Sequence, residues 1–153
     1  MAALQILSPD GTWRWIKHID NALVRHLFSS LIDSLNLLQV INTGDAMGLL
    51  SGGFYKPTIH RVVQPPADQR NYTRLSVFYF CLADDDIRLV PFTESPVLKR
   101  VGIVRQCDDD VAPTMEVWRK GRTTAYGRSD LKQGKEKGVE EELIGGLVVK
   151  HYS

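Results

Sequence analysis

Residues 44–63 read GDAMGLLSGGFYKPTIHRVV, and residues 74–76 read RLS. The first stretch ends in a β-branched run that is typical of a strand, and this run carries His60. Arg74 and Ser76 belong to an alternating run, so a strand places both side chains on one face. Arginine can bind a carboxylate through two parallel hydrogen bonds, and a serine hydroxyl adds a donor. These side chains are candidates for a binding site, although a single histidine on an apolar strand is more often a core residue.

The residues on both sides of this stretch predict more short strands with turns between them. Residues 4–16 alternate on either side of Ser8-Pro9-Asp10-Gly11, which predicts a β-hairpin. Asp45 can cap a short helix at Ala46–Leu50. Further predictions are strands at 58–63, 74–81 and 87–90, a helix at 113–120, and a mobile polar surface segment at 127–142. The apolar run at 143–149 predicts a terminal strand or a docking segment. This many short strands predict a mainly β fold, either a sandwich or a jelly roll.

The composition of the chain is that of a soluble globular domain. Its 153 residues are 43% hydrophobic and 24% charged, which suits one domain with one core. The formal net charge of +1 excludes a polycationic nucleic-acid binder. Apolar stretches are too short to span a bilayer, and the N-terminus has no signal-peptide pattern. We therefore expect a cytoplasmic protein without nucleic-acid or membrane partners, in which Cys81 and Cys107 are free thiols.

Taken together, the two stretches resemble iron(II)/2-oxoglutarate-dependent dioxygenases of the isopenicillin-N-synthase-like or clavaminate-synthase-like type. Members of that family carry GD, then SNG-x-[YF]-K-[ST]-x-x-H-R-V, then R-x-S on the following strand. The resemblance covers roughly residues 4–102, which correspond to the C-terminal part of the family domain, and a fungal-looking extension follows. It implies an incomplete double-stranded β-helix, or jelly roll, with a few short helices and a C-terminal extension.

The resemblance also implies a chemistry and assigns roles to the candidate residues. His60 matches an iron ligand of the family, and Arg74 and Ser76 match the pair that binds the far carboxylate of 2-oxoglutarate. The implied cofactors are Fe(II) and 2-oxoglutarate, and the implied partner is a small-molecule substrate. The implied reaction oxidises a C–H bond of that substrate while 2-oxoglutarate is decarboxylated to succinate.

One part of the family pattern has no counterpart in this chain. The family's other two iron ligands form an H-x-D dyad, which by the resemblance falls before Met1. His18-Ile19-Asp20 has the H-x-D spacing but lies in a turn-like context without the flanking residues of the family dyad. We therefore expect a truncated, catalytically impaired member of the family. The alternative is a non-catalytic jelly-roll fragment or a cupin-like module that binds a small molecule.

A second departure is an insertion at residues 25–40. Removing Val24–Gln39 joins the flanking residues into NALVINTGD, the continuous sequence expected for the family. One hypothesis is that the segment is translated intron sequence, and the alternative is an amphipathic insertion helix, since its apolar residues recur at helical spacing. The expected organisation is a partial dioxygenase domain over residues 1–110 and a helical, polar extension over residues 111–153.

Overall fold

The structure, a computed structural model, describes residues 3–16, 23–25, 39–73, 77–124, 131–136 and 138–152. These residues form a mainly β protein with mostly antiparallel sheets and a few short helices, which is compatible with a jelly roll. The strands are β1 (Leu4–Leu7), β2 (Trp13–Trp15), β3 (Leu23–Arg25), β4 (Gln39–Ile41), β5 (His60–Val62), β6 (Lys132–Gln133), β7 (Val139–Ile144) and β8 (Leu147–Tyr152). The helices are α1 (Asp45–Leu50), α2 (Pro96–Val101) and α3 (Met115–Thr124), with a 3₁₀ turn at Ala67–Gln69.

The chain divides into two compact units. The first comprises Met1–Gly44 and Pro57–Tyr79, and the second comprises Asp45–Lys56 and Phe80–Ser153. Within the described ranges, no helix is long and apolar enough to cross a bilayer. The domain boundary expected at residue 110 stays a prediction.

The first unit contains the predicted N-terminal hairpin, which the structure confirms. Strands β1 and β2 pair antiparallel, with Ile6 opposite Arg14. The turn between them follows from its residues: Gly11 has φ +76°, and the backbone N–H of Thr12 donates to Asp10 Oδ1 at 3.0 Å. The carboxylate of Asp10 also accepts from Arg14 Nη2 at 2.6 Å, which ties the turn to β2.

Strand β5 extends this sheet on the other side of β1, giving the order β2-β1-β5. Its pairing with β1 is antiparallel, with Ile6 opposite His60 and Gln5 opposite Arg61. The strand spans three residues, fewer than the six predicted at 58–63. Strands β3 and β4 form a separate parallel pair. Residues 26–38 lie outside the described part, so both the intron and the insertion-helix hypotheses stay predictions.

The second unit is built around a buried apolar cluster. Its members are Leu49, Leu50, Leu89, Met115, Trp118, Ile144, Leu147 and Val149. Helix α1 supplies the first two and ends as the sequence predicts, because Gly52 (φ +57°) donates to the carbonyl of Leu49 and Gly53 donates to that of Gly48.

The C-terminal part of the second unit corrects two predictions. The segment 127–142, predicted to be a mobile polar surface, contains β6 and the start of β7, and β7 pairs with both β6 and β8. Its polar appearance is misleading because buried Val139 and Ile144 frame a run of glutamates within one strand. The single strand predicted at 143–149 is a hairpin instead, since Gly145 and Gly146 both adopt positive φ and reverse the chain.

Two other predicted strands are absent from the described residues. The run 87–90 forms only an isolated bridge between Arg88 and Thr114. The alternation of residues 74–81 predicts a strand. The described part of this run, residues 77–81, has no regular secondary structure and does not pair with another strand of the described chain. Its side chains face solvent, with Tyr79 91% exposed. Alternation alone does not make a strand, because the backbone groups also need a neighbouring strand to pair with.

Candidate functional site

His60 is the first residue of β5, at the end of the sheet in the first unit. It lies directly opposite Ile6, and directly paired residues of an antiparallel sheet share a face. Leu4 and Val62 belong to the same face by strand alternation and are likewise paired with each other. Arg14 of β2, which is paired with Ile6, adds a charged side chain to this face. His60 is exposed, so its imidazole is accessible to solvent.

The tautomer of His60 follows from its hydrogen bonds. Its Nδ1 lies 2.8 Å from the carbonyl oxygen of Thr58 and 3.2 Å from Nδ2 of Asn42. A carbonyl oxygen can only accept, so the shorter contact requires Nδ1 to carry the proton and to donate a hydrogen bond to Thr58. The amide Nδ2 of Asn42 is itself a donor, so it lies beside the protonated Nδ1 without a hydrogen bond to it. The lone pair of the neutral ring is then on Nε2. A ring nitrogen that donates to a backbone carbonyl is the usual support of a metal-binding histidine.

The opposite face of the same sheet carries a different group of side chains. The Cζ atom of Arg61 lies 4.0 Å from the centroid of the Trp13 ring. Its Nε donates to Oε1 of Gln5 at 3.0 Å, and Gln5 is buried. These contacts make Arg61 part of a side-chain network within the sheet.

The other residues assigned from the sequence are outside the described part of the chain. Arg74 and Ser76 fall in residues 74–76, and the H-x-D pair of His18 and Asp20 falls in residues 17–22. The structure therefore brings His60 together with Thr58 and Asn42, and its relation to Arg74 and Ser76 stays a prediction.

Among the residues that the resemblance assigns to the site, His60 is described, and its imidazole suits Fe(II). Within these ranges no group of three or more His, Cys, Asp or Glu side chains is arranged to hold a metal ion. An iron site of the expected type needs two histidines and a carboxylate on one face. The described residues alone thus do not complete such a site, and no reaction step follows from them.

Sequence reasoning missed the carbonyl of Thr58, which orients His60, and the amide of Asn42 beside the same ring nitrogen. Asn42 lies in the NTGD segment and Thr58 lies two positions before the histidine, where strand alternation gives both residues one face. That spacing is the one signal that could have identified Thr58. Nothing in the local sequence connects Asn42 with His60, because 18 residues separate them.

A second polar cluster lies in the second unit, where sequence reasoning expected a solvated tail. Glu142 Oε1 lies 2.9 Å from His151 Nε2 and accepts from Arg122 Nη1 at 3.3 Å. The Glu142 side chain is only 8% exposed. Arg122 Nη2 also lies 3.8 Å from Asp45 Oδ2. These groups link α3, β7 and β8, so the cluster is a structural one and His151 is less solvated than its sequence position indicates.

Comparison with known proteins gives one positive result. Searches of curated protein sequences and of solved structures found no match to this chain. A family model of the 2OG-Fe(II) oxygenase superfamily matches residues 2–83, which is more than half of the 153 residues. The matched range includes β1 to β5, His60, Arg74 and Ser76. The family implies Fe(II) and 2-oxoglutarate as cofactors. This chain therefore belongs to the 2OG-Fe(II) oxygenase superfamily.

Proposed function

We propose that this chain carries part of an iron(II) and 2-oxoglutarate site of the isopenicillin-N-synthase-like or clavaminate-synthase-like kind. In this proposal His60 is an iron ligand, and Arg74 and Ser76 bind the far carboxylate of 2-oxoglutarate. Iron and 2-oxoglutarate, when bound, supply the oxidation of a C–H bond in a small-molecule substrate, with release of succinate. The observation that carries the proposal is the hydrogen bond from His60 Nδ1 to the carbonyl of Thr58, which leaves Nε2 as the free ligand atom.

The proposed role of each side chain in the site follows from its chemistry. A neutral imidazole is a suitable ligand for Fe(II). The planar guanidinium of Arg74 has parallel donors that fit a carboxylate. In an extended chain, the hydroxyl of Ser76, two residues further on, would share the strand face of Arg74. We propose that the three side chains point into one double-stranded β-helix formed within residues 1–110, with residues 111–153 as an extension.

We further propose that the 153-residue chain on its own is catalytically impaired, as expected of a fragment of a fungal-like, cytoplasmic enzyme. The sequence contains one H-x-D pattern, His18-Ile19-Asp20, which we assign to a turn. Iron held by one imidazole and water is bound more weakly than iron held by three protein ligands. The chain should accordingly bind Fe(II) poorly and release little succinate.

The iron part is tested by titrating the anaerobic chain with Fe(II) and measuring binding by calorimetry. We expect weak binding that is lost in His60→Ala and kept in His151→Ala, the matched control in the second unit. Equal binding by the wild-type chain and His60→Ala would remove His60 from the site. Succinate release with Fe(II), ascorbate and 2-oxoglutarate should stay at background. Robust release that disappears in both His18→Ala and His60→Ala would instead identify His18-Ile19-Asp20 as the dyad.

The 2-oxoglutarate part is tested by ligand-observed NMR with the metal-free chain. We expect weak binding that falls in Arg74→Lys, because lysine cannot form the two parallel hydrogen bonds, and falls further in Arg74→Ala. Arg70→Ala is the matched control, since Arg70 is exposed and its Nε donates to the carbonyl of Pro65. Binding that is unchanged in Arg74→Ala contradicts the assigned role.

A further inference from the structure

Arg61 directly follows His60, and its side chain contacts one residue in each of the other two strands of the sheet. Gln5, its partner across the β1–β5 pair, accepts from Arg61 Nε at 3.0 Å. Trp13, on the far strand β2, lies under the guanidinium with 4.0 Å between Cζ and the ring centroid. The three side chains share one face, because Gln5 pairs with Arg61 and Leu7, two residues along β1, pairs with Trp13. One side chain of β5 is thereby fixed to both other strands of the sheet.

This connection matters because β5 is short. Even with the flanking hydrogen bonds from Leu7 N–H to the carbonyl of Ile59 and from Val63 N–H to that of Ala3, the ladder between β1 and β5 is short, so side chains contribute to its register. A shift by one residue turns every side chain of a strand to the opposite face. Such a shift would take His60 away from Ile6 and would leave the buried amide oxygen of Gln5 without its donor.

We infer that Arg61 is a positioning residue that fixes the register of β5 and so keeps the imidazole of His60 on the face shared with Ile6. The inference rests on the proposed role of His60 as an iron ligand. Arginine is suited to this task because its planar guanidinium stacks on an indole while Nε donates sideways. Lysine can keep a charge above Trp13 but has no donor in the position of Nε.

The test uses the full metal-free chain, labelled with ¹⁵N and ¹³C. Two NMR readouts report on His60: the ¹⁵N shifts of its ring, which identify the protonated nitrogen, and the NOE between its ring and the methyl groups of Ile6. In the wild-type chain we expect Nδ1 to be protonated and the NOE to be present. In Arg61→Ala we expect the NOE to be lost, whereas Nδ1 should stay protonated because its acceptor, Thr58, is in the same chain segment and moves with His60.

Matched variants separate positioning from general loss of structure. Arg70→Ala removes an exposed arginine of the same unit, bonded to the carbonyl of Pro65, and should leave both readouts unchanged. Arg61→Lys should rescue the NOE in part. If Arg61→Ala fails to fold by circular dichroism, Gln5→Leu, which keeps a buried side chain at this position and removes the acceptor, should weaken the NOE in its place. A folded Arg61→Ala or Gln5→Leu with an unchanged NOE overturns the inference.

The outcome is independent of the iron proposal. Failure of His60→Ala to alter iron binding would refute the proposed function while the NMR readouts still report the register of β5. Conversely, an unchanged NOE in Arg61→Ala would refute the positioning role while His60 could still bind iron.

Discussion

Gly121 of α3 lies directly against the buried side chain of Ile144 of β7, and the space between them does not admit a β-carbon. We expect Gly121→Ala to lower the free energy of unfolding by about 1–3 kcal/mol through overpacking. The intrinsic helix preference of alanine, about 1 kcal/mol, offsets part of this loss. Urea unfolding of both proteins measures the difference.

Gly44→Ala is the matched control for this substitution. Gly44 has open space where its β-carbon would be, and its φ is not positive. We expect its effect on the free energy of unfolding to stay within about 0.5 kcal/mol. A loss in Gly121→Ala no larger than that in Gly44→Ala would show that α3 can move away from β7 at little cost.

Glu142 joins β7 to β8 and α3 through a nearly buried carboxylate. Because it accepts from Arg122 and pairs with His151, Glu142→Gln removes a charge that both partners face. We expect a loss of about 1–2 kcal/mol in the free energy of unfolding, at the lower end for charged hydrogen bonds since both partners are partly exposed. Glu140→Gln, on the same strand and exposed, is the control and should cost less than about 0.5 kcal/mol.

The ion pair between Asp85 and Arg119 predicts a pH dependence. A hydrogen bond from Arg119 holds the pKa of the Asp85 carboxyl below its ordinary value. A carboxyl whose pKa is lowered by folding stabilises the folded state above its unfolded pKa, and this contribution disappears as the pH falls through the lowered value. The stability difference between the wild-type chain and Asp85→Asn should therefore be constant near neutral pH and shrink in acid.

Direct titration of Asp85 by carboxyl-carbon NMR provides the check. In Arg119→Ala the pKa of Asp85 should rise toward its ordinary value, because the principal cause of the shift is gone. The pair is solvent-exposed, so 1 M salt should weaken the pH dependence as well. An Asp85 titration that is the same in both proteins would contradict the assignment.

The two cysteines should differ in reactivity. Burial raises the pKa of the Cys107 thiol, and the negative charges of Asp108, Asp109 and Asp110 raise it further. Cys81 is exposed. Because the thiolate is the reactive form, a disulfide reagent such as DTNB at pH 8 should label Cys81 first and Cys107 several-fold more slowly.

Mass spectrometry of the labelled chain locates the modified cysteine. Removing two of the nearby charges with Asp108→Asn and Asp110→Asn should speed the labelling of Cys107 and leave that of Cys81 unchanged. Faster labelling of both cysteines would indicate loss of structure instead of an electrostatic effect. Faster labelling of Cys107 than of Cys81 in the wild-type chain would contradict the prediction.

The hairpin of β1 and β2 could be predicted because its information is local. Alternation, Pro9 and Gly11 fall within a few residues of one another and select one turn. The run at 77–81 has equally good alternation and is not a strand in the described residues. A local pattern shows that a segment is able to form a strand. The strand also requires a neighbouring strand to pair with, and the local pattern does not show whether one is present.

The same distinction separates the predicted and unpredicted parts of the candidate site. The motif around His60 predicts both a candidate iron ligand and the strand that carries it, and β5 begins at this residue. The proton on Nδ1 depends on the contact with the carbonyl of Thr58 and could be inferred only from folded geometry. In the C-terminal segment, sequence analysis did not identify β7 as a strand. Its buried residues, Val139 and Ile144, lie at its two ends with a run of glutamates between them, so the sequence shows no alternation of apolar and polar residues.

The exposed run Val77–Leu82 should make this chain susceptible to proteolysis. Phe78, Tyr79 and Phe80 are all more than two-thirds exposed and have no ladder within the described residues, so chymotrypsin should cut the folded chain here first. The cut would leave Leu49 and Leu50 on the N-terminal fragment and their core neighbours Leu89, Met115 and Trp118 on the other. The nicked protein should therefore elute as one species under native conditions and separate into two bands only after denaturation.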